Sequence, residues 1–331
     1  MQKADRLSTT HRDLRQSPKG GIKRKCCRFG KSILDRWQLY VFLILPLAYL
    51  IIFAYVPMLG LQLAFKKFQI SKGIWGSPWA GLAQFRKFFS SYMFSRLITN
   101  TVRISLYSLI AGFPLPILFA LALNSVLHRG YKKAIQMITY MPYFISTVVL
   151  VGMLLRIINP RIGIYGVVYN FFTGREAPNL IGIPGAFPHL YVWSGIWQSL
   201  GYSSIIYLAG LASVDQELHE AAQIDGADRF RRVLHIDLPG ILPTAVILLI
   251  MSAGSIMNVG FEKAYLMRND LNQRTSEVIA TFIYRQTLAA SSGVQDFSYG
   301  TAIGLFNSAI NLVLILFVNT VAKKASGESL F

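Results

Sequence analysis

Six apolar blocks, each near the roughly 20 residues that a helix needs to cross a bilayer, constrain this chain more than any other feature. They run Leu39–Met58, Thr101–Leu127, Ala134–Ile157, Leu190–Leu211, Pro243–Phe261 and Thr301–Val321. Backbone groups left unpaired in hydrocarbon are costly, so blocks of this length are expected to be helices. Composition agrees: 53% of residues are hydrophobic, 15% are charged, and the mean hydropathy is +0.44. Soluble chains carry about a quarter charged residues. The expected fold class is therefore an all-α membrane protein with six transmembrane helices.

Charge sets the expected orientation. The net charge is +18, and much of the excess sits in residues 1–37, including Lys3, Arg6, Arg12, Arg15, Lys19, Lys23, Arg24, Lys25, Arg28, Lys31 and Arg36. A basic tail beside an apolar block is retained on the cytoplasmic side, and membrane lipid explains this charge better than nucleic acid. Residues 38–331 then form the transmembrane domain, with six crossings placing both termini in the cytoplasm. Three further segments fall on that side: the turn with His128, Arg129, Lys132 and Lys133, the polar stretch 212–242, and Lys323-Lys324. Basic residues in the outer loops, such as Lys66, Lys67 and Arg274, weaken the bias without reversing it. Cys26 and Cys27 are adjacent and lack metal-ligand spacing, so they read as reduced, idle thiols. No small-residue cleavage site follows the first block, which reads as an uncleaved helix.

Two outer segments are long for simple connections. Residues 59–97 carry the aromatic and glycine-rich run Gly73-Ile74-Trp75-Gly76-Ser77-Pro78-Trp79, and residues 262–300 hold an amphipathic stretch from Ser276 to Leu288. Helix breakers cluster at Gly112-Phe113-Pro114-Leu115-Pro116 and at Met141-Pro142. Such breaks are tolerated only against other helices or a wet cavity, which favours a bundle that bends or opens. The apolar blocks hold no run of carboxylates or histidines that would relay protons.

The stretch 212–242 reads as two short helices around a glycine. Ser213 is placed to cap the first, with Gln216 three residues on. Leu218, Ala221, Ala222 and Ile224 share one face, and Gly226 ends the helix in a left-handed cap. The second holds Phe230, Val233 and Leu234, with Leu238-Pro239 expected to stop it. Paired alanines and a glycine corner suit docking on a soluble partner better than a passive connection.

Glu220-Ala221-Ala222, Asp225-Gly226-Ala227, Ile236, Leu238-Pro239 and Pro243 resemble the signature loop of permease subunits of binding-protein-dependent ABC importers. Val233 departs from that family's frequent aromatic residue. Gly60-Leu61-Gln62-Leu63-Ala64-Phe65, Tyr140-Met141-Pro142-Tyr143-Phe144-Ile145-Ser146, Gly260-Phe261-Glu262-Lys263 and Gly304-Leu305-Phe306-Asn307-Ser308 are similar to the oligo- and polysaccharide permease branch. The resemblance implies a type I importer permease fold in a bacterial inner membrane. It also implies a second homologous permease, two ATP-binding cassette subunits and a solute-binding protein as partners. No cofactor is implied on this chain; ATP and Mg²⁺ belong to the partner ATPase subunits. No phosphate-cradling Gly-x-x-x-x-Gly-Lys-Ser/Thr loop occurs in the sequence, so ATP hydrolysis by this chain alone is not expected. Glu220, Ala221, Ala222, Asp225, Gly226, Leu238 and Pro239 would couple it to the ATPases.

Sugars are held by aromatic stacking together with amide and hydroxyl hydrogen bonds. Candidate path residues are Trp193, Trp197, Tyr202, Asn258 and Phe261, of which Tyr202 and the region of Asn258 resemble the sugar-lining positions of related permeases. Trp75 and Trp79 are the candidates for contact with the binding protein. Three alternatives stay open: a secondary transporter, a membrane-bound enzyme, and an ABC permease for a peptide or anion. For the first, the intramembrane ionisable groups or interrupted repeats it would need are sparse. The second lacks a catalytic constellation, since the five histidines are scattered. For the third, the aromatic-rich, acid-poor path favours sugar, and the basic outer loops suit an acidic sugar polymer.

Overall fold

The computed structural model describes residues 37–289 and 295–327; among these the regular elements are all helices, joined by turns and irregular loops, with one isolated antiparallel bridge, Lys66 to Trp79. The basic tail, with Cys26 and Cys27, lies outside the described residues. The chain divides into two units, Met1–Gly60 and Leu61–Phe331. In the first, helix α1 (Trp37–Leu50) continues through a π-helical turn, Ile51–Tyr55, into Val56–Met58. Apolar side chains such as Phe42, Leu45 and Phe53 are exposed along it, as a lipid-facing span requires.

The second unit holds α2 (Met93–Gly112) and α3 (Pro114–Asn124), then α4 (Arg129–Tyr140) and α5 (Thr147–Ile157). It continues with α6 (Phe187–Ala212), α7 (Gln216–Ile224), α8 (Arg229–Arg232) and α9 (Leu238–Gly254). Last come α10 (Phe261–Met267), α11 (Ile279–Thr287) and α12 (Phe297–Ser326). Packing of α6 on α3 and of α9 on α12 dominates the contacts. One core cluster joins Ala120 and Leu121 of α3 to Tyr207 and Leu211 of α6 and Ile241 and Ala245 of α9. Two more, around Phe88, Leu97 and Ile303 and around Ile104, Phe187 and Met267, hold the opposite end.

Four helical runs among the described residues are long and apolar enough to cross a bilayer, or five if the bent pair α4–α5 counts as one span. Three differences from the sequence expectation have physical reasons. The block Ala134–Ile157 is not one rod: it bends by 102°. The 3₁₀ turn Met141–Phe144 ends α4, and Ser146 opens α5 by accepting the Val149 N–H. Helix α6 is long enough, at 26 residues, but its polar residues, including Ser194, Gln198, Ser199 and Ser203, keep it below the apolar level of the other runs. The fifth block stops at Gly254 rather than Phe261, and Ser255–Gly260 leaves the helix.

Pro239 also does not stop a helix. Arg229–Gly254 is one continuous run of 26 residues, with a π-helical turn at Val233–Asp237. A proline ring clashes with the carbonyl four residues back and supplies no N–H. The wider turn, in which Leu238 N–H reaches Val233 O, absorbs that misfit. The same device precedes Pro57 in α1.

Candidate functional site

The break after α9 opens a cavity of 660 Å³ between α2, α3, α6 and the segment Ser255–Lys263. Side chains of α12 hold the break. Asn311 Oδ1 accepts the Met257 N–H at 3.0 Å, and the amides of Asn307 and Asn311 donate to Asn258 Oδ1 at 3.0 and 3.1 Å. The first of these gives the Met257 N–H a partner outside the helix, and the other two fix the Asn258 side chain. With its carbonyl taken, Asn258 keeps its own amide N–H groups for the cavity it lines.

Across the cavity, Tyr202 of α6 stacks on Tyr143, with ring centroids 3.8 Å apart and planes 5° from parallel. Gly201 makes this possible: a Cβ there would fall inside van der Waals contact of the Thr139 carbonyl, so only glycine lets α6 approach α4 this closely. Gln198 Nε2 donates to Ile145 O at 2.8 Å, pinning the bent connection before α5. Ser108, Ser199, Ser203, Ser252 and Ser255 add hydroxyls to the lining. Lys263 is the only charged side chain in it. This lysine lies beyond the end of the span, is 9% exposed, donates from Nζ to Tyr191 O at 2.8 Å and sits 4.8 Å over the Tyr191 ring. Burial pulls its ammonium down to about 8, because a charge removed from water is disfavoured.

Of the five path candidates, Tyr202 and Asn258 thus meet in one cavity. Trp193 and Trp197 do not line it. They lie in a separate apolar pocket of 350 Å³ with Leu150, Met153, Leu154 and Ile157, and Trp193 Nε1 donates to the Tyr107 hydroxyl at 2.8 Å. Helical spacing explains the split, since 193 and 197 share a face that 198 and 202 do not. Phe261 packs with Tyr265 and Tyr284, at 5.5 and 5.0 Å, outside the lining. Sequence reasoning passed over Tyr143 and Lys263 as path residues. Tyr143 follows the helix breaker Pro142 directly and Lys263 lies three residues after Gly260, which is the signal that could have found them.

The polar segment forms the other feature. Asp215, not Ser213, caps α7, accepting the Glu217 N–H at 3.0 Å; Ser213 instead donates to Gly210 O and closes α6. At the far end Gly226 has φ +77°. Ala227 N–H reaches Ala222 O at 2.8 Å and Gly226 N–H reaches Gln223 O at 3.1 Å, the paired bonds of a left-handed helix cap. Asp228 caps α8, accepting the Arg231 N–H at 2.7 Å. The π turn buries Asp237, whose Oδ1 lies 3.3 Å from His219 Nε2 and ties α7 to the α8–α9 run. Leu218, Ile224, Phe230 and Leu234 remain exposed, Ile224 by 87%. Glu220, Ala221, Asp225 and Pro239 are exposed too, whereas Ala222 and Leu238 are half-buried.

At the other end, Lys66 is buried and donates to Ile74 O at 2.9 Å, fixing a loop that leaves Trp75 exposed by 74%. Trp79 stacks on Phe65 at 5.8 Å and is also exposed. In the outer segment the fully buried Glu277 receives Arg285 at 2.6 Å and Gln273 at 2.7 Å, with Arg268 at 4.0 Å.

Comparison with known proteins matches residues 112–327 to the family of binding-protein-dependent transport system inner membrane components. Protein LplB of Bacillus subtilis (strain 168) is 39% identical over 297 residues, covering 90% of this chain and 92% of its own. The polygalacturonan/rhamnogalacturonan transport system permease protein YteP of the same organism is 37% identical over 309 residues, 93% of this chain and 95% of its own. Among solved structures, a chain of a bacterial ABC transporter involved in the import of the acidic polysaccharide alginate superposes with a TM-score of 0.81 at 37% identity, covering 90% of this chain and 99% of that one. A bacterial alginate ABC transporter in complex with an alginate pentasaccharide-bound periplasmic protein gives 0.83 at 36% identity, with 92% and 100% covered.

Proposed function

The chain belongs to the family of binding-protein-dependent transport system inner membrane components, and from that membership we propose that it forms half of the path by which an acidic oligo- or polysaccharide enters the cell. A solute-binding protein delivers the cargo, a second homologous permease completes the path, and two ATPase subunits drive it. The chain crosses the membrane six times with both termini in the cytoplasm, α6 supplying the polar crossing.

The observation that carries this reading is the cavity: a stacked tyrosine pair, a row of hydroxyls and amides, and one cation, in a volume suited to a short saccharide. Names of relatives support the acidic cargo, polygalacturonan and rhamnogalacturonan for one and alginate for another. The coupling segment is attached directly to two of the helices that line the cavity, α6 and α9. Helix α6 enters it at Ser213, and α8 leaves it as one rod with α9, ending beside Asn258. A displacement of the segment by ATPase closure is thereby carried to the cavity wall. The exposed Ile224 and Phe230 dock in a cleft of the ATPase, with Glu220 making a charge-assisted contact, and Trp75 and Trp79 meet the loaded binding protein.

The test is purification of the tagged chain in mild detergent, with ATPase activity assayed with and without candidate binding proteins and oligouronates. Co-purification of an ATPase and a second permease, with stimulation by an oligouronate, is expected. A chain that purifies alone, without ATPase association, would overturn the reading.

A further inference from the structure

We infer that Lys263, seated against Gly195 and the Tyr191 carbonyl, is the group in the cavity that recognises a carboxylate of the passing sugar. The inference rests on the acidic-cargo reading above and adds the residue that selects for it.

Three observations carry it. First, Lys263 is the only charged residue of the lining among the described residues, and no described carboxylate pairs with it; Glu262, its neighbour in sequence, is exposed and outside the lining. A buried cation without a counter-ion is costly, and a lysine kept there for packing alone would gain by being neutral. Second, an ammonium carries three N–H donors, and among the described residues only the Tyr191 carbonyl accepts one. The Tyr191 ring covers another side at 4.8 Å, and the remaining donor capacity is available to the cavity. Third, the room around Nζ depends on a missing side chain: a Cβ on Gly195 would stand 3.0 Å from it. The ammonium is therefore positioned by its surroundings without being neutralised by them. Neutral groups, Tyr202, Gln198 and Asn258, serve the rings and hydroxyls of the sugar; Lys263 reads the feature that distinguishes a uronate from a neutral hexose.

The test uses the complete transporter, with its partner permease, ATPases and binding protein, in proteoliposomes. Uptake of a short oligogalacturonate is compared with uptake of its methyl ester, which keeps the sugar and removes the charge. The binding protein is the same for every variant, so a change in the acid-to-ester ratio belongs to the permease. Lys263→Gln is expected to lower that ratio roughly tenfold or more, the range for loss of a hydrogen bond to a charged group. Gly195→Ala keeps the lysine but crowds its ammonium, and is expected to lower the ratio several-fold; it carries the test should the first variant not assemble. An unchanged ratio in either transporting variant would overturn the inference and leave the importer reading intact. A wild-type complex that moves neither compound, while transporting some other cargo, would overturn both.

Discussion

Replacing Gly226 tests the coupling segment through backbone conformation alone. Its φ is +77°, and a Cβ placed on it meets nothing within 4 Å. No steric clash can therefore confuse the result within this chain. An L-residue in the left-handed region costs roughly 1–2 kcal/mol, which lowers the population of the corner by a factor of about 5–30. Gly226→Ala should accordingly reduce uptake and cargo-stimulated ATPase partially. Gly226→Asn should do little, since asparagine visits this region routinely. Gly226→Pro should abolish both, because its φ is locked near −65° and the N–H that reaches Gln223 O at 3.1 Å is gone. Membrane insertion, followed by detergent-resistant folding and yield, should be unaffected in all three because the residue is exposed. The assay is ATP-driven uptake in proteoliposomes beside phosphate release. Normal transport by Gly226→Pro would refute the coupling role. Equal loss in the alanine and proline variants would refute the conformational argument and point to direct contact at the glycine.

Removing one ring of the tyrosine stack, Tyr202→Ala, should raise the KM for cargo by about twofold to tenfold, since a stacked aromatic pair contributes roughly 0.5–1.5 kcal/mol; Tyr202→Phe should stay near wild type. Glu277→Gln removes the only carboxylate that pairs with Arg285 and Arg268 among the described residues and should cost about 2–3 kcal/mol, within the range for hydrogen bonds to charged groups, read as a lower Tm in detergent. Lys263 carries its charge below about 8 and loses it above, so uptake of an oligouronate should fall as pH rises through that value. The comparison is with Lys263→Gln, whose ratio to wild type cancels titration in the partner subunits; a constant ratio would contradict the charge argument.

How much of this was legible beforehand depended on whether a local rule decided the structure. The glycine corner at 226 and the shared face of α7 follow from short-range preferences, and the sequence reading placed Gly226 correctly. Ser213 was misread because Asp215, two residues on, offers a carboxylate that caps better, leaving the hydroxyl to the preceding helix. Pro239 was misread because a proline rule describes a regular α-helix, and here a π turn accommodates the ring. The 102° bend and the break at Ser255–Gly260 depend on amides from α12 and on Gln198 of α6, partners far away in sequence. Hydrophobicity could not separate Trp197 from Tyr202, because it weighs both aromatics alike; only the helical phase puts one in the cavity and the other in an apolar pocket. Lys263 stood in the sequence only as the end of the Gly260-Phe261-Glu262-Lys263 motif, and its burial depends on contacts with α6 that no local rule supplies.

The same dependence on distant partners makes Gly201 the most informative packing position. A Cβ there would collide with the Thr139 carbonyl and stand 2.9 Å from Tyr140 Cδ1, and Tyr140 is followed at once by the turn that carries Tyr143. Backbone cannot rotate out of the way as a side chain can, so α4 must move. Overpacking of this kind costs roughly 1–3 kcal/mol, against about 1 kcal/mol gained by alanine over glycine inside a helix. Gly152 in α5 supplies the control, since a Cβ there meets nothing within 4 Å and only the gain applies. Gly201→Ala should therefore be less stable than Gly152→Ala by about 1–3 kcal/mol, measured by thermal unfolding of the purified complex. It should also raise the KM for cargo, because the shift separates Tyr143 from Tyr202. Equal stability of the two variants, with cargo affinity intact, would mean that α4 can yield without disturbing the stack, and that the cavity wall is not held by this contact.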